Sequence, residues 1–233
     1  MSRPVCAVVG VGPGNGAALA RRFAGAGHAV ALMARSTALS SALAAELREA
    51  RAYEYDAGDA ASVARTFAAV RSDLGEVDTL IYSAGSGIWG TIEEITPEAF
   101  ETSWRVNALG ALLAAQAVIP AMKRKGAGSI IFIGATASRR GVARTTAFAA
   151  GKAAQRSLAE SMARHLWPAG IHVALVIIDG VVDLPRTRER MADKPDEFFV
   201  KPAAVAETAY RLTEQDRSAW SFEVEARPFG EKW

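Results

Sequence analysis

The chain has 233 residues, half of them hydrophobic and 22% charged, with a net charge of +2 and a single cysteine. One cysteine forms no internal disulfide and, with three scattered histidines, no zinc site; the near-neutral balance offers no electrostatic footprint for nucleic acid. The length suits one α/β domain, no apolar run reaches the roughly 18–20 residues of a bilayer crossing, and the amino terminus enters an apolar strand without a leader's plan. The expectation is a cytoplasmic, reduced-compartment protein without nucleic-acid or membrane partners.

Taken in order, short apolar runs alternate with longer helical stretches. Val5–Val9, Ala29–Ala34, 52–55, 79–82, 129–134 and 172–178 read as buried strands, each nearly continuous in apolar residues and bounded by Gly or polar residues. Between them, Asn15–Gly25, 37–50, 60–74, 96–125 and 146–167 read as helices. Thr96 and Pro97 supply an N-cap and a first-position proline for the fourth, and Pro168 closes the fifth. This alternation predicts one domain over residues 1–233: an α/β doubly wound parallel sheet with helices on both faces. Residues 184–201, charged and proline-flanked with paired Phe198 and Phe199, read either as a solvated connection with a short helix or as a lid over a substrate. The tail 220–227 alternates apolar and polar residues as a final strand would.

The first strand runs into Gly10-Val-Gly12-Pro-Gly14-Asn15-Gly16-Ala17. Glycines there permit a tight turn, close backbone approach to a pyrophosphate, and close helix packing, while the helix N-terminus holds the anion. Two registers fit, Gly12/Gly14/Ala17 or Gly10/Gly14/Gly16; the second begins at the strand's end and is preferred. A reader of the ribose 2′-hydroxyl would put an acid at the end of the second strand. Arg35 stands there instead, a planar cation suited to a 2′-phosphate, so NADP(H) is expected over NAD(H).

Over essentially its whole length the chain resembles the short-chain dehydrogenase/reductase family, whose fold is Rossmann-type. Gly10, Gly14 and Gly16 match its GxxxGxG turn. Asp56 matches the acid that meets the adenine amino group, and Ala84-Gly85 keeps the end of its NNAG element. Asn107 matches the helix asparagine, Lys152 the YxxxK lysine, and Asp179-Gly180-Val181-Val182 its PG turn at the nicotinamide. The resemblance implies that Asn107 and Lys152 belong to the catalytic group and that Lys152, Gly180 and Val182 touch cofactor. It also implies a small-molecule substrate and a homodimer or homotetramer assembled through the long helices 96–125 and 146–167.

Two positions depart from that pattern. Phe148 stands where the family has its tyrosine, and Ala135 where it has its serine. A positioned acid contributes about 10²–10⁴-fold to ketone reduction, and neither side chain can act as one. Three routes follow: a substitute donor, an acceptor needing no strong acid (an iminium, a quinone or an activated enone), or NADP(H) binding without turnover. Candidate donors are Tyr82, Thr136, Ser138, Thr145, Thr146, Asp179 and Asp183, with Arg139, Arg140 or Arg144 stabilising an oxyanion. Asn107 is expected either to hold a water linking Lys152 to solvent or to satisfy backbone at a distortion of its helix.

Overall fold

The computed structural model describes residues 3–230. Seven strands form one parallel sheet in the order β3-β2-β1-β4-β5-β6-β9: β1 Val5–Val9, β2 Ala29–Ala34, β3 Ala50–Glu54, β4 Val77–Tyr82, β5 Gly128–Ala135, β6 Ile171–Ile178 and β9 Glu223–Ala226. A second, two-stranded sheet pairs β7 Val181–Val182 with β8 Phe199–Val200. All eight residues of β6 are buried, as a parallel strand covered on both faces requires.

Alternation along the strands sorts side chains into two cores. Val5, Ala7, Val9, Leu80, Phe132 and Leu175 meet helices α3 (Ala60–Asp73), α5 (Gly110–Lys125) and α6 (Thr146–Leu166) on one face. Cys6, Val8, Leu32, Ile131 and Val176 meet α1 (Asn15–Gly25), α2 (Thr37–Glu46) and α8 (Pro202–Thr213) on the other. The doubly wound architecture is therefore as expected from sequence.

Three local readings need correction. Helix α2 stops at Glu46, not at 50, because Leu47 is extended and Glu49 takes a φ of +59°, which turns the chain into β3 two residues early. The stretch 96–125 is not one α-helix: α4 (Pro97–Trp104) and α5 flank a π-helical turn at Arg105–Leu109. There Asn107 Nδ2 donates to the Ser103 carbonyl at 2.9 Å, a side chain competing for the i−4 acceptor of the backbone ladder. An 18-residue window within residues 97–125 reaches a mean hydropathy of 1.3, so by length and composition alone this stretch could cross a membrane, contrary to the reading of the apolar runs. In the fold this helix buries Ala111, Ala114, Ala115, Val118 and Met122 against the sheet, so its apolar face is core.

Residues 184–201 form α7 (Pro185–Arg190), a short 3₁₀ turn and β8, a connection that holds the short helix of the first reading. Arg188 pairs with Asp183 at 2.7 Å and Asp196 at 2.6 Å and lies 4.0 Å over the Phe199 ring. Phe199 is buried and Phe198 half-buried, so the phenylalanine pair packs into the segment itself. Its first residue, Leu184, is what reaches the glycine turn, as shown below.

Candidate active site

The sheet order reverses between β1 and β4, and the loops leaving their carboxyl ends meet there, the usual ligand crevice of such sheets. Gly10 adopts a φ of +92°, and a Cβ on it would lie 2.5 Å from the Ala84 backbone nitrogen. A Cβ on Gly16 would lie 2.5 Å from the Gly10 carbonyl oxygen. Both positions thus require glycine, and the preferred register holds for them. Gly14 differs, since its Cβ would meet only the Leu184 Cδ2 methyl, at 2.5 Å.

Helix α1 starts at Asn15; of its first-turn amides, Ala17 donates to the Gly12 carbonyl at 3.0 Å and Ala18 to the Gly14 carbonyl at 3.1 Å, which leaves those of Asn15 and Gly16 without a partner among the described residues. The Asn15 side-chain oxygen is buried without a hydrogen-bond partner. Arg35 is exposed just beyond β2 and makes no ion pair among the described residues. Asp56 is exposed just beyond β3, one carboxylate oxygen taken by the Gly58 amide at 2.8 Å. A turn that only glycine fits at two positions, with two free helix amides beside it, suits the phosphates of a dinucleotide.

Lys152, on α6, is buried; its Nζ donates to the Ile133 carbonyl at 2.9 Å and to Gln155 Oε1 at 3.2 Å. Gln155, fully buried, donates in turn to the Asn107 carbonyl at 2.9 Å. The side chain of Gln155 therefore joins Lys152 to the Asn107 backbone, and Asn107 sits at a helix distortion, the second of the two roles expected of it. Burial pushes the Lys152 ammonium down to about 8. A Cβ on Gly85 would lie 3.3 Å from Asn107 Oδ1 and 3.7 Å from Lys152 Nζ, so lysine and asparagine converge beneath this exposed glycine. Asn107 Oδ1 is buried and unpartnered, while its amide nitrogen also reaches Ser86 Oγ at 3.2 Å.

Phe148, one helical turn before Lys152, stacks on Trp89 of the loop after β4, ring centroids 5.3 Å apart and tilted by 33°. Ala135 ends β5, its amide bonded to Ser138 Oγ at 3.2 Å. The hydroxyls singled out as donors are mostly engaged. Tyr82, fully buried, donates to the Val106 carbonyl at 2.5 Å, and burial pushes its phenol well above the ordinary value. Thr145 both accepts from and donates to Val142, at 2.8 and 2.9 Å. Thr136 donates to Asp179 at 2.5 Å. Thr146 has no side-chain partner among the described residues; it lies two positions from Phe148, on another helix face.

The candidate acids are likewise held as ion pairs. Asp179 is buried beside Arg227 and Arg140; burial opposes its charge, but the Thr136 hydroxyl and the two cations outweigh it and hold the carboxyl below the usual range. The Arg188 hydrogen bonds lower Asp183. Arg139 pairs with Glu223 and Glu225, and Arg144 with Glu94, so neither guanidinium is free for an oxyanion. Gly180 admits the close approach of Pro228 and Val200, and Val182 pairs with Val200.

Sequence reasoning did not find Gln155 or Trp89. The first has a recoverable signal, an i, i+3 spacing from Lys152 in an alanine-rich helix; the second lies in a loop without periodicity.

Residues 4–195 match the model of the family described as short chain dehydrogenase. The chain is 32% identical to the 3-oxoacyl-[acyl-carrier-protein] reductase MabA of Mycobacterium tuberculosis over 219 residues, 91% of this chain and 85% of that protein. Its fold is similar to that of a metagenomic short-chain oxidoreductase in complex with NADP (TM-score 0.85, 27% identity, 99% of each chain). It is also similar to an alcohol dehydrogenase from the archaeon Thermococcus sibiricus complexed with 5-hydroxy-NADP (TM-score 0.88, 26% identity, 99% of each chain).

Proposed function

The chain belongs to the short-chain dehydrogenase family, and on that premise we propose that it is an NADP(H)-dependent oxidoreductase that transfers hydride without a hydroxyl acid of its own. The family supplies the coarse statement, an oxidoreductase with a nicotinamide cofactor. A bound nicotinamide supplies the hydride. The amides of Asn15 and Gly16 at the start of α1 hold the pyrophosphate at the glycine turn, Arg35 takes the 2′-phosphate, Asp56 meets the adenine, and Lys152 meets the ribose beside the nicotinamide. Support for NADP(H) over NAD(H) comes from the unpaired Arg35 and the NADP-bound relative.

One observation carries the reading of the chemistry. Phe148 and Ala135 stand at the positions of the family's tyrosine and serine, and the hydroxyls of Tyr82, Thr136 and Thr145 and the carboxylates of Asp179 and Asp183 are engaged elsewhere. Such a site suits an acceptor that takes hydride unaided. A second reading, an NADP(H)-binding sensor or assembly subunit without turnover, draws support from Leu184 on Gly14. In that reading, nucleotide entering at the glycine turn moves Leu184, which packs on Gly14, and a partner senses the change. Assembly as a homodimer or homotetramer is part of either reading. Phe100 and Trp104, each 41% exposed and one turn apart on α4, offer the contact, and sedimentation checks it.

The test titrates NADPH and NADH by fluorescence. It then assays ketones, imines, quinones and enones with the wild type and Phe148→Tyr. Activated acceptors should turn over in the wild type, and simple ketones only in the tyrosine variant, by about tenfold or more over wild type. Tight NADPH binding with no turnover of any class favours the second reading. Robust ketone reduction by the wild type overturns both.

A further inference from the structure

We propose that the acceptor is a neutral, flat, conjugated dicarbonyl of the quinone type, stacked against the Trp89–Phe148 pair and faced by Lys152. The inference rests on the hydride-transfer reading above and adds its substrate class.

The mouth of the site is apolar and open. Trp89 is 57% exposed, Ile92 73% and Val142 62%. Exposed apolar side chains on the loops that flank a crevice offer a surface for a ligand to cover. They come from two loops joined to each other, for Gly90 bridges to Thr145 and its amide donates to the Arg144 carbonyl at 2.9 Å. Trp89 and Phe148, tilted by 33°, form an aromatic wall one turn of α6 from Lys152, and the exposed Trp89 ring offers a face for offset stacking. Charge at the rim is self-contained, because Glu94 pairs with Arg144.

The floor discriminates among acceptors that need no acid. Lys152 brings a buried cation there, held by Ile133 and Gln155 and without a carboxylate neighbour. A cationic iminium would face that ammonium across a low-dielectric gap and be repelled. A quinone enters neutral and leaves as an anion: it gains a hydride, two electrons and one proton, from the dihydronicotinamide, which is left oxidised, and becomes the hydroquinone monoanion. The ammonium stabilises that anion as it forms. The second oxygen then takes its proton from water at the open mouth. No protein hydroxyl enters the balance, which is what Phe148 and Ala135 require.

The experiment uses the full chain and three probes: 1,4-naphthoquinone, cyclohexanone and an N-methyl-dihydroisoquinolinium salt. Saturable quenching of tryptophan fluorescence reports binding, and NADPH fluorescence reports the nucleotide separately. Naphthoquinone should quench saturably, and the quench should fall by more than half in Trp89→Leu, an exposed loop substitution that spares the fold. In turnover, Trp89→Leu should raise KM for the quinone about tenfold with kcat within threefold, and the iminium should bind at least tenfold more weakly than the quinone. Quench unchanged in Trp89→Leu, or an iminium bound more tightly than the quinone, overturns the assignment. NADPH that fails to bind overturns the reading beneath it, whereas NADPH that binds while naphthoquinone does not overturns this assignment alone.

Discussion

Gln155 stands one turn from Lys152 on the same helix and receives its ammonium at 3.2 Å, while its own amide bonds the Asn107 carbonyl at 2.9 Å. A fully buried side chain thus joins the lysine to the π turn, and two of the three ammonium protons are directed away from the site mouth, toward Ile133 and Gln155.

Gln155 is accordingly a positioning residue for Lys152. Replacing it with Leu removes a dipole that favours the charged lysine, so the Lys152 pKa should fall below its present value of about 8; Gln155→Glu should raise it. The titration is followed in protein carrying ¹³C-labelled lysine, the resonance being assigned by its loss in Lys152→Met. Loss of stability with an unmoved titration would leave Gln155 a packing residue only. That stability loss should be about 1–3 kcal/mol, from a buried carbonyl left without its donor.

Lys152 itself makes stability depend on pH in a defined window. Its folded pKa is lowered to about 8 from an unfolded value of 10.5, so between these the unfolded chain binds more protons and stability rises with pH. The rise should amount to about 3 kcal/mol by the linkage conversion. Urea unfolding at pH 7 and pH 10.5 should show the increase in the wild type and not in Lys152→Met. Parallel pH profiles for the two proteins would contradict it.

The glycines of the turn should separate by what surrounds them. Gly10→Ala places a Cβ against the backbone of Ala84 at a φ of +92°, and neither side can yield. It should destabilise by about 1–3 kcal/mol or more and abolish nucleotide binding. Gly14→Ala meets only a leucine methyl, so it should cost under about 1.5 kcal/mol, with Leu184 displaced. Equal losses from both substitutions would show that Leu184 is a fixed part of the turn.

Legibility from sequence followed the reach of the interactions. The bounds of β1, α1 and β2 are those expected, because a buried apolar strand, a glycine turn and an alanine-rich helix are local patterns. The glycine turn was legible for the same reason, since Gly10 and Gly16 answer to steric demands that a motif spacing encodes. The early end of α2 was not, because Glu49 adopts a left-handed conformation that carries no glycine to announce it. Nor were the partners of the expected donors. Thr136 with Asp179, and Asp179 with Arg227, join residues 43 and 48 positions apart through the edge strand β9 and its tail. Phe148 was readable from its register with Lys152; that Trp89 covers it depends on a loop whose path is set by the Gly90–Thr145 bridge.

Arg35 bears on cofactor choice. Charge-assisted hydrogen bonds contribute about 1.5–3 kcal/mol, so Arg35→Ala should weaken NADPH binding by about 10–100-fold. NADH binding should stay within about threefold. Dissociation constants for both nucleotides, measured by fluorescence titration, check this, and equal effects on the two would assign Arg35 no part in reading the 2′-phosphate.

The central claim is that hydride moves without a proton from a protein hydroxyl, and isotope effects on a single turnover test it most directly. NADPH deuterated at the transferring position and NADPH of natural abundance are mixed with enzyme and quinone, each in H₂O and in D₂O. The rate of nicotinamide oxidation should fall by about twofold or more with the deuterated nucleotide, as expected when hydride transfer limits the step, and change little with solvent. A solvent effect of about twofold or more on that same rate would show a proton in flight with the hydride, and the account would be wrong.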